Sequence, residues 1–210
     1  MWDTIAYYVV LALESMIGVF GIRLYEEPQY EIIGRVAGNV EIRRYAPRLA
    51  AEVELPAGGR AARGQAFQLL FDYISGTNRT ASGSSKIAMT VPVEVRDNER
   101  IAMTAPVQTA EDGATLRMIF FLPAKYDHDS TPAPRDDRVK IVTIPDETIA
   151  VLRYSGLGRD FRERQAELVA SLAGSKWRPI GPPSTLYYDA PFTIPFLRRN
   201  EAAVAVTPTQ

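Results

Sequence analysis

Val40-Glu41-Ile42-Arg43-Arg44-Tyr45, then Leu49-Ala50-Ala51-Glu52-Val53 beyond Pro47, then a helical stretch over 60–74, form a triplet of strand, strand and helix. Pro56-Ala57-Gly58-Gly59 precedes that helix and Gly76-Thr77-Asn78 stops it. The triplet recurs. Strand-like runs at 139–144 and 148–154, broken at Pro145-Asp146, lead through Gly156-Leu157-Gly158 into a second helix over 160–173. Further strand-like sequence follows each helix, at 87–93 and 115–122 in the first half and at 184–188 and 201–206 in the second. Two similar halves of this kind predict an α+β fold with mostly antiparallel sheet and two helices.

The two helices differ in what their faces offer. Phe161, Leu168, Val169 and Leu172 make one buried stripe on the second, with Arg162, Glu163, Arg164 and Glu167 toward water. Packing accounts for it. On the first, Ala62, Ala66, Phe67, Leu69, Leu70, Phe71, Tyr73 and Ile74 cover more of the surface than one core-facing stripe needs. Phe67 and Phe71, four apart, share a face that is either core or the wall of a ligand site. Arg60 and Arg63, near the helix start, are placed to meet an anionic group or simply to be solvated.

A seven-residue phrase occurs twice, as Ile87-Ala88-Met89-Thr90-Val91-Pro92-Val93 and as Ile101-Ala102-Met103-Thr104-Ala105-Pro106-Val107. Alternation reads each copy as a strand, and the polar run from Glu94 to Arg100 as the hairpin connection between them. One copy is an insertion. Pro92 and Pro106 confine their positions to an edge, a bulge or a strand end.

Composition narrows the chemistry. The chain has 210 residues, 46% hydrophobic and 23% charged, enough for a full core without staples. With no cysteine, it has no disulfide, thiolate metal site or cysteine nucleophile. One histidine, His128, makes a His-rich metal site or a Ser-His-Asp triad hard to assemble. The net charge of −1, with both signs interspersed, gives no footprint for nucleic acid. Residues 5–22 are almost all apolar, with Glu14 the one ionisable side chain, which is about the length of one bilayer span. That stretch predicts an N-terminal apolar helix, attached to a membrane or docked on its own domain. With its linker it makes a segment 1–27 ahead of a folded domain over 28–207. Membrane association on an unspecified side follows from the first choice, a soluble cytoplasmic protein from the second.

The order Gly76-Thr77-Asn78, Met89-Thr90-Val91-Pro92-Val93, Phe121-Leu122-Pro123, Pro132-Ala133-Pro134, 151–156, and Tyr188-Asp189 running into Arg198-Arg199-Asn200-Glu201 resembles the SOUL haem-binding protein family. The resemblance covers roughly residues 30–206. It implies a distorted β-barrel of two four-stranded antiparallel sheets flanked by two α-helices, with an internal pseudo-twofold repeat. It also implies binding of haem b or another porphyrin, without turnover. Carried over position by position, the family's site maps Phe67, Leu70 and Phe71 of the first helix and Phe192 and Phe196 of a late loop as an apolar wall. The family's basic positions fall on Gly64, Asp72 and Thr193, which leaves Arg63 as the candidate propionate partner.

Axial ligation has few candidates. His128 lies in a polar loop, Met89 and Met103 have the spacing of core residues, and Tyr188 is a further oxygen donor. Burial of the macrocycle supplies affinity without a strong axial ligand. The sequence thus points to a non-enzymatic tetrapyrrole buffer or carrier. The alternatives are a haem-modifying enzyme, for iron removal or ring cleavage, and a sensing or interaction module for another small hydrophobic ligand. Oligomeric state is left open.

Overall fold

A computed structural model of the protein describes residues 25–37, 39–81, 83–98, 115–190 and 192–209. The apolar stretch 5–22 and the second copy of the doubled phrase lie outside them. Among the described residues no helix is long and apolar enough to cross a membrane.

The first half runs β1 (Tyr30–Val36), β2 (Val40–Tyr45), β3 (Arg48–Pro56), α1 (Gly59–Ile74), β4 (Asn78–Arg79), β5 (Val93–Asn98) and β6 (Thr115–Phe121). The second runs β7 (Ala133–Pro134), β8 (Val139–Ile144), β9 (Glu147–Tyr154), α2 (Phe161–Ser171), β10 (Trp177–Pro179), β11 (Ser184–Tyr187) and β12 (Asn200–Pro208). Both helices fall where the sequence places them.

In place of two separate four-stranded sheets, ten strands form one antiparallel sheet, in the order β1-β2-β9-β12-β11-β5-β6-β3-β8 with β10 on β12. The halves fuse because β5 and β11 pair directly, Val93 with Tyr187 and Val95 with Thr185. Outward from that seam the order is β5-β6-β3-β8 on one side and β11-β12-β9-β2 on the other. These are equivalent successions, related by a pseudo-twofold at the seam, with α1 packed on β3 and β6 and α2 on β12 and β9. Neither β2–β3 nor β8–β9 is a hairpin. β2 pairs with β9 and β3 with β8, so Pro47 and Pro145 sit where the chain leaves one half for the other. A residue without an N–H suits a ladder's end.

The sheet curls into a half-barrel. β3 and β9 stand five places apart, roughly 24 Å in a flat sheet, yet Arg48 of β3 forms an ion pair with Glu147 of β9. Between them the Arg48 guanidinium lies 4.1 Å from the Tyr45 ring centre and 4.5 Å from that of Phe121. Curling gives the sheet an inner face, opposite the helices. Ala51, Val53, Val95, Met118 and Phe120 pack toward α1, and Ile42, Leu152, Ala202 and Val204 toward α2. The intervening residues, among them Glu52, Glu94, Glu147 and Glu201, face inward and are paired with Arg117, Arg96, Arg48 and Arg43.

The deepest of these is Glu201, which is fully buried. Its oxygens accept hydrogen bonds from Arg43 Nη1 (2.8 Å) and Nη2 (3.1 Å), Arg199 Nε (2.8 Å) and the Tyr188 hydroxyl (2.8 Å). Burial alone would push this carboxyl up; the Arg43 bonds and the charges of Arg43 and Arg199 outweigh it and hold the group below the usual carboxylate range. Burial also pushes the Tyr45 hydroxyl up to about 12.

The first copy of the doubled phrase is not the strand that alternation suggests. It is extended, Ile87 N donates to Ile74 O (2.8 Å), the Thr90 hydroxyl donates to Phe121 O, Thr90 forms a parallel bridge with Glu26, and the strand begins at Val93. Pro92 has no N–H to give to a ladder, and the alternation that builds β5 is Val93 and Val95 toward α1 against Glu94 and Arg96 inward. Ile87 packs in the α1 core whereas Val91 packs in the inner one, so the phrase passes between them. As far as Asn98, the polar run read as a connection is therefore β5 itself. The end of the linker is bound to the domain: Val91 N donates to Glu26 O (3.0 Å), and Ala124 N to the Glu26 carboxylate (2.8 Å).

β5 and β6 pair up to Asn98 opposite Thr115, so the second copy falls within their connection. Asn98 and Thr115 are close enough for a two-residue turn. Replacing 99–114 by Asn-Gly is expected to leave a cooperatively folded domain, stabilised by no more than about 2 kcal/mol through the shorter loop; urea denaturation checks this.

A second expectation concerns Glu201. Its folded-state value lies below its unfolded one, so its contribution is complete above the unfolded value of about 4.3 and is lost as pH falls through the depressed value. Glu201→Gln leaves two buried arginines without their counter-charge and is expected to cost about 3–5 kcal/mol near neutral pH. Its stability should also fall less steeply in acid than the wild type's, which urea unfolding from about pH 6 to about pH 3 measures.

Candidate functional site

The period of α1 decides which side chains reach solvent. Ala62, Ala66, Leu70, Tyr73 and Ile74 are buried against the sheet. The Tyr73 hydroxyl donates to Pro132 O at 2.8 Å, which fixes the helix about its axis. The turn after it is held by Asn78, whose amide donates to Tyr73 O (2.8 Å) and Ser85 O (2.7 Å). This is the structural work of the Gly76-Thr77-Asn78 motif.

With α1 so locked, Phe67 and Phe71 stand on its open side, 38% and 41% exposed. Their rings are stacked, with centres 6.0 Å apart and planes 12° from parallel. Phe67 also meets the buried Phe120 of β6 edge-on at 5.4 Å. The three rings run from core to surface, so the exposed pair is seated on the core. Leu70, expected on the wall, is fully buried beneath it.

Arg63 does not point into open solvent beside the wall. Its guanidinium lies 4.5 Å over the ring of Phe161, the first residue of α2, with Arg162 at 5.7 Å from the same ring. These contacts join the two helix starts and gather positive charge there. Arg60, one turn earlier, is exposed and has no ion pair among the described residues. The other two family positions carry no cation: Asp72 accepts a hydrogen bond from Gln68 (2.7 Å), and Thr193 is buried.

The late loop presents a second apolar patch. Phe192 and Phe196 are 56% and 74% exposed, beside a 3₁₀ turn at Pro195–Leu197. Its backbone is well tied: Gly156 N donates to Pro195 O (3.0 Å), Arg198 Nε to Thr193 O (2.7 Å) and Arg199 N to the Asp189 carboxylate (2.6 Å). Leu157 and Leu197, which the sequence reading passed over, add exposed apolar surface there. Segment 156–161 links the patches, bonded to the loop at Gly156 and stacked on α1 through Phe161.

The other candidate ligands among the described residues are engaged elsewhere. His128 is exposed and shares a hydrogen bond of 2.6 Å with the Thr143 hydroxyl. Tyr188 is buried on Glu201, where desolvation first and the neighbouring carboxylate second drive its hydroxyl well above the usual tyrosine range. Met89 packs on the α1 core. Among the described residues no group of three or more His, Cys, Asp or Glu is placed to hold a metal ion.

On the inner face a polar cavity of about 510 Å³ is lined by Tyr30, Arg35, Glu41, Arg43, Arg153 and Arg199 among others. The sequence reading missed this cluster. Its one local sign was charge on the inward positions of strands otherwise rich in Val, Ile and Ala.

A one-sheet half-barrel with a helix on each pseudo-symmetric half and an exposed aromatic wall on the first helix is the setting in which the comparisons fall. The family model described as SOUL heme-binding protein matches residues 25–205. The chain belongs to the SOUL haem-binding protein family. No curated protein matches it. Among solved structures, the C-terminal domain of EcmrR is similar with a TM-score of 0.60 at 8% identity, covering 86% of this chain and 99% of that one. A structure titled as a hydrolase from Listeria innocua gives 0.56 at 13% identity, over 80% of this chain and 92% of that one. An uncharacterized conserved protein of Listeria innocua gives 0.55 at 14%, over 87% and 93%. At these identities the likeness is one of fold.

Proposed function

We propose that this protein binds haem or a related tetrapyrrole without turning it over, holding the macrocycle against the aromatic wall of α1 with the loop around Phe192 and Phe196 beside it. The observation that carries the reading is the stacked, exposed Phe67–Phe71 pair seated on Phe120. A contiguous exposed apolar patch marks a surface that a ligand or partner covers, and the two near-parallel rings suit a flat ligand. A porphyrin burying several hundred square ångströms at roughly 25 cal/mol per Å² gains several kcal/mol before association costs. Haem supplies iron chemistry when bound; the residues of this chain bind and orient its ring.

The basic groups fit that pose at one end. Arg60, Arg63 and Arg162 lie near the paired helix starts, where propionates would meet positive charge. The engagement of His128 with Thr143 and of Tyr188 with Glu201 supports affinity that comes from the ring face and not from an axial bond.

Titration with haemin is expected to give a saturable Soret shift, and iron-free protoporphyrin IX to bind within a few-fold of it. Haemin binding more than about tenfold tighter, some 1.4 kcal/mol, would contradict the axial-free reading. Phe67→Ala and Phe71→Ala should each weaken binding about tenfold; Phe71→Ala should change stability little, whereas Phe67→Ala also loses the ring contact with Phe120, worth about 0.5–1.5 kcal/mol. Leu70→Ala should instead cost about 2–5 kcal/mol of stability, as for a core residue.

A further inference from the structure

Gly64 has no explanation inside this chain. It lies in the interior of α1, exposed, where glycine is among the least favourable residues. Its backbone is helical and needs no positive φ, and a Cβ built on it would meet nothing within 4 Å. Neither packing nor a turn calls for it. Its place on the helix is informative: at about 100° per residue, Phe71, Arg60 and Phe67 project within about 60° of Gly64. The exposed face of α1 thus reads, in order, an arginine with no ion pair among the described residues, a bare backbone step and two stacked rings.

We propose that Gly64 is a ligand-contact position. Its missing side chain forms a notch that lets the edge of a flat, carboxylate-bearing tetrapyrrole lie directly against the helix backbone, flush with Phe67 and Phe71. Arg60 is the cation at the far end of that contact. Along the axis it stands about 6 Å from Gly64 and about 16 Å from Phe71. Arg63, held over Phe161, joins the helices and adds to the positive charge at their starts. This rests on the tetrapyrrole reading above and deepens it: residue 64 sets how closely the macrocycle approaches, and Arg60 sets the preference for free propionates.

Stability and affinity move in opposite directions under this proposal, which separates it from a structural role. Gly64→Ala in the full chain is expected to raise the melting temperature of the ligand-free protein by about 2–4 °C. The same change should weaken binding of protoporphyrin IX about fivefold or more, followed by tryptophan quenching, with a larger loss for Gly64→Leu. Arg60→Gln should lose affinity for protoporphyrin IX but not for its dimethyl ester, which has no carboxylates. Wild-type binding with unaltered affinity in both Gly64 variants overturns the proposal, and so does affinity lost together with a lowered melting temperature. A wild type that binds neither porphyrin removes the tetrapyrrole reading, and this inference with it.

Discussion

The burial of one carboxylate, Glu201, between Arg43 and Arg199 is the interaction on which the arrangement of this molecule turns. Arg43 lies on β2 and Glu201 on β12, with β9 between them, so the ion pair reaches across a strand. It fixes register as well as distance, because a slip of one residue would send either side chain to the helix face. Arg199 extends the tie to Glu27 (3.2 Å), and the Tyr188 hydroxyl fastens the segment after β11. An uncompensated buried charge costs several kcal/mol, so the partners must arrive together.

That constraint bears on function through the division of faces. The inner face of the curl carries the ion pairs Arg43–Glu201, Arg48–Glu147, Arg96–Glu94 and Arg117–Glu52 beside two smaller apolar clusters that include Val151 and Ile119. The larger apolar clusters lie on the helix face, where α1 is held by Leu70, Tyr73 and the Asn78 turn. Its surplus aromatics, Phe67 and Phe71, have the core behind them through Phe120 and water in front. A flat apolar ligand finds a preorganised surface there and a charged, self-paired one on the other side.

Much of this was legible because it is local. The helices over 60–74 and 160–173, the strands around them and the repeat of strand, strand, helix follow from period and from turn residues, and the repeat is the pseudo-twofold of the sheet. The exception among local features is β5, whose polar residues were read as a connection because their inward face is charged. What was not legible is long-range. Arg43 and Glu201 are 158 positions apart, and nothing in either strand's pattern announces the other. Nor could periodicity say which aromatics of α1 stay outside: Leu70 and Phe71 are neighbours in sequence, and only the rotation fixed by Tyr73 on Pro132 buries one and exposes the other. Gly64 was visible as a departure from one of the family's basic positions, but its empty surroundings are a fact of three dimensions.

The central claim is that a tetrapyrrole sits on the helix face against α1 and the late loop. Paramagnetic broadening of backbone amide resonances by bound ferric haemin locates it most directly, since the effect falls steeply with distance from the iron. The account predicts the strongest broadening at residues 60–71 and 192–197, with the inner-face amides of Glu41, Arg43 and Arg153 sharp. Broadening centred on those inner-face positions, with α1 unaffected, would contradict it.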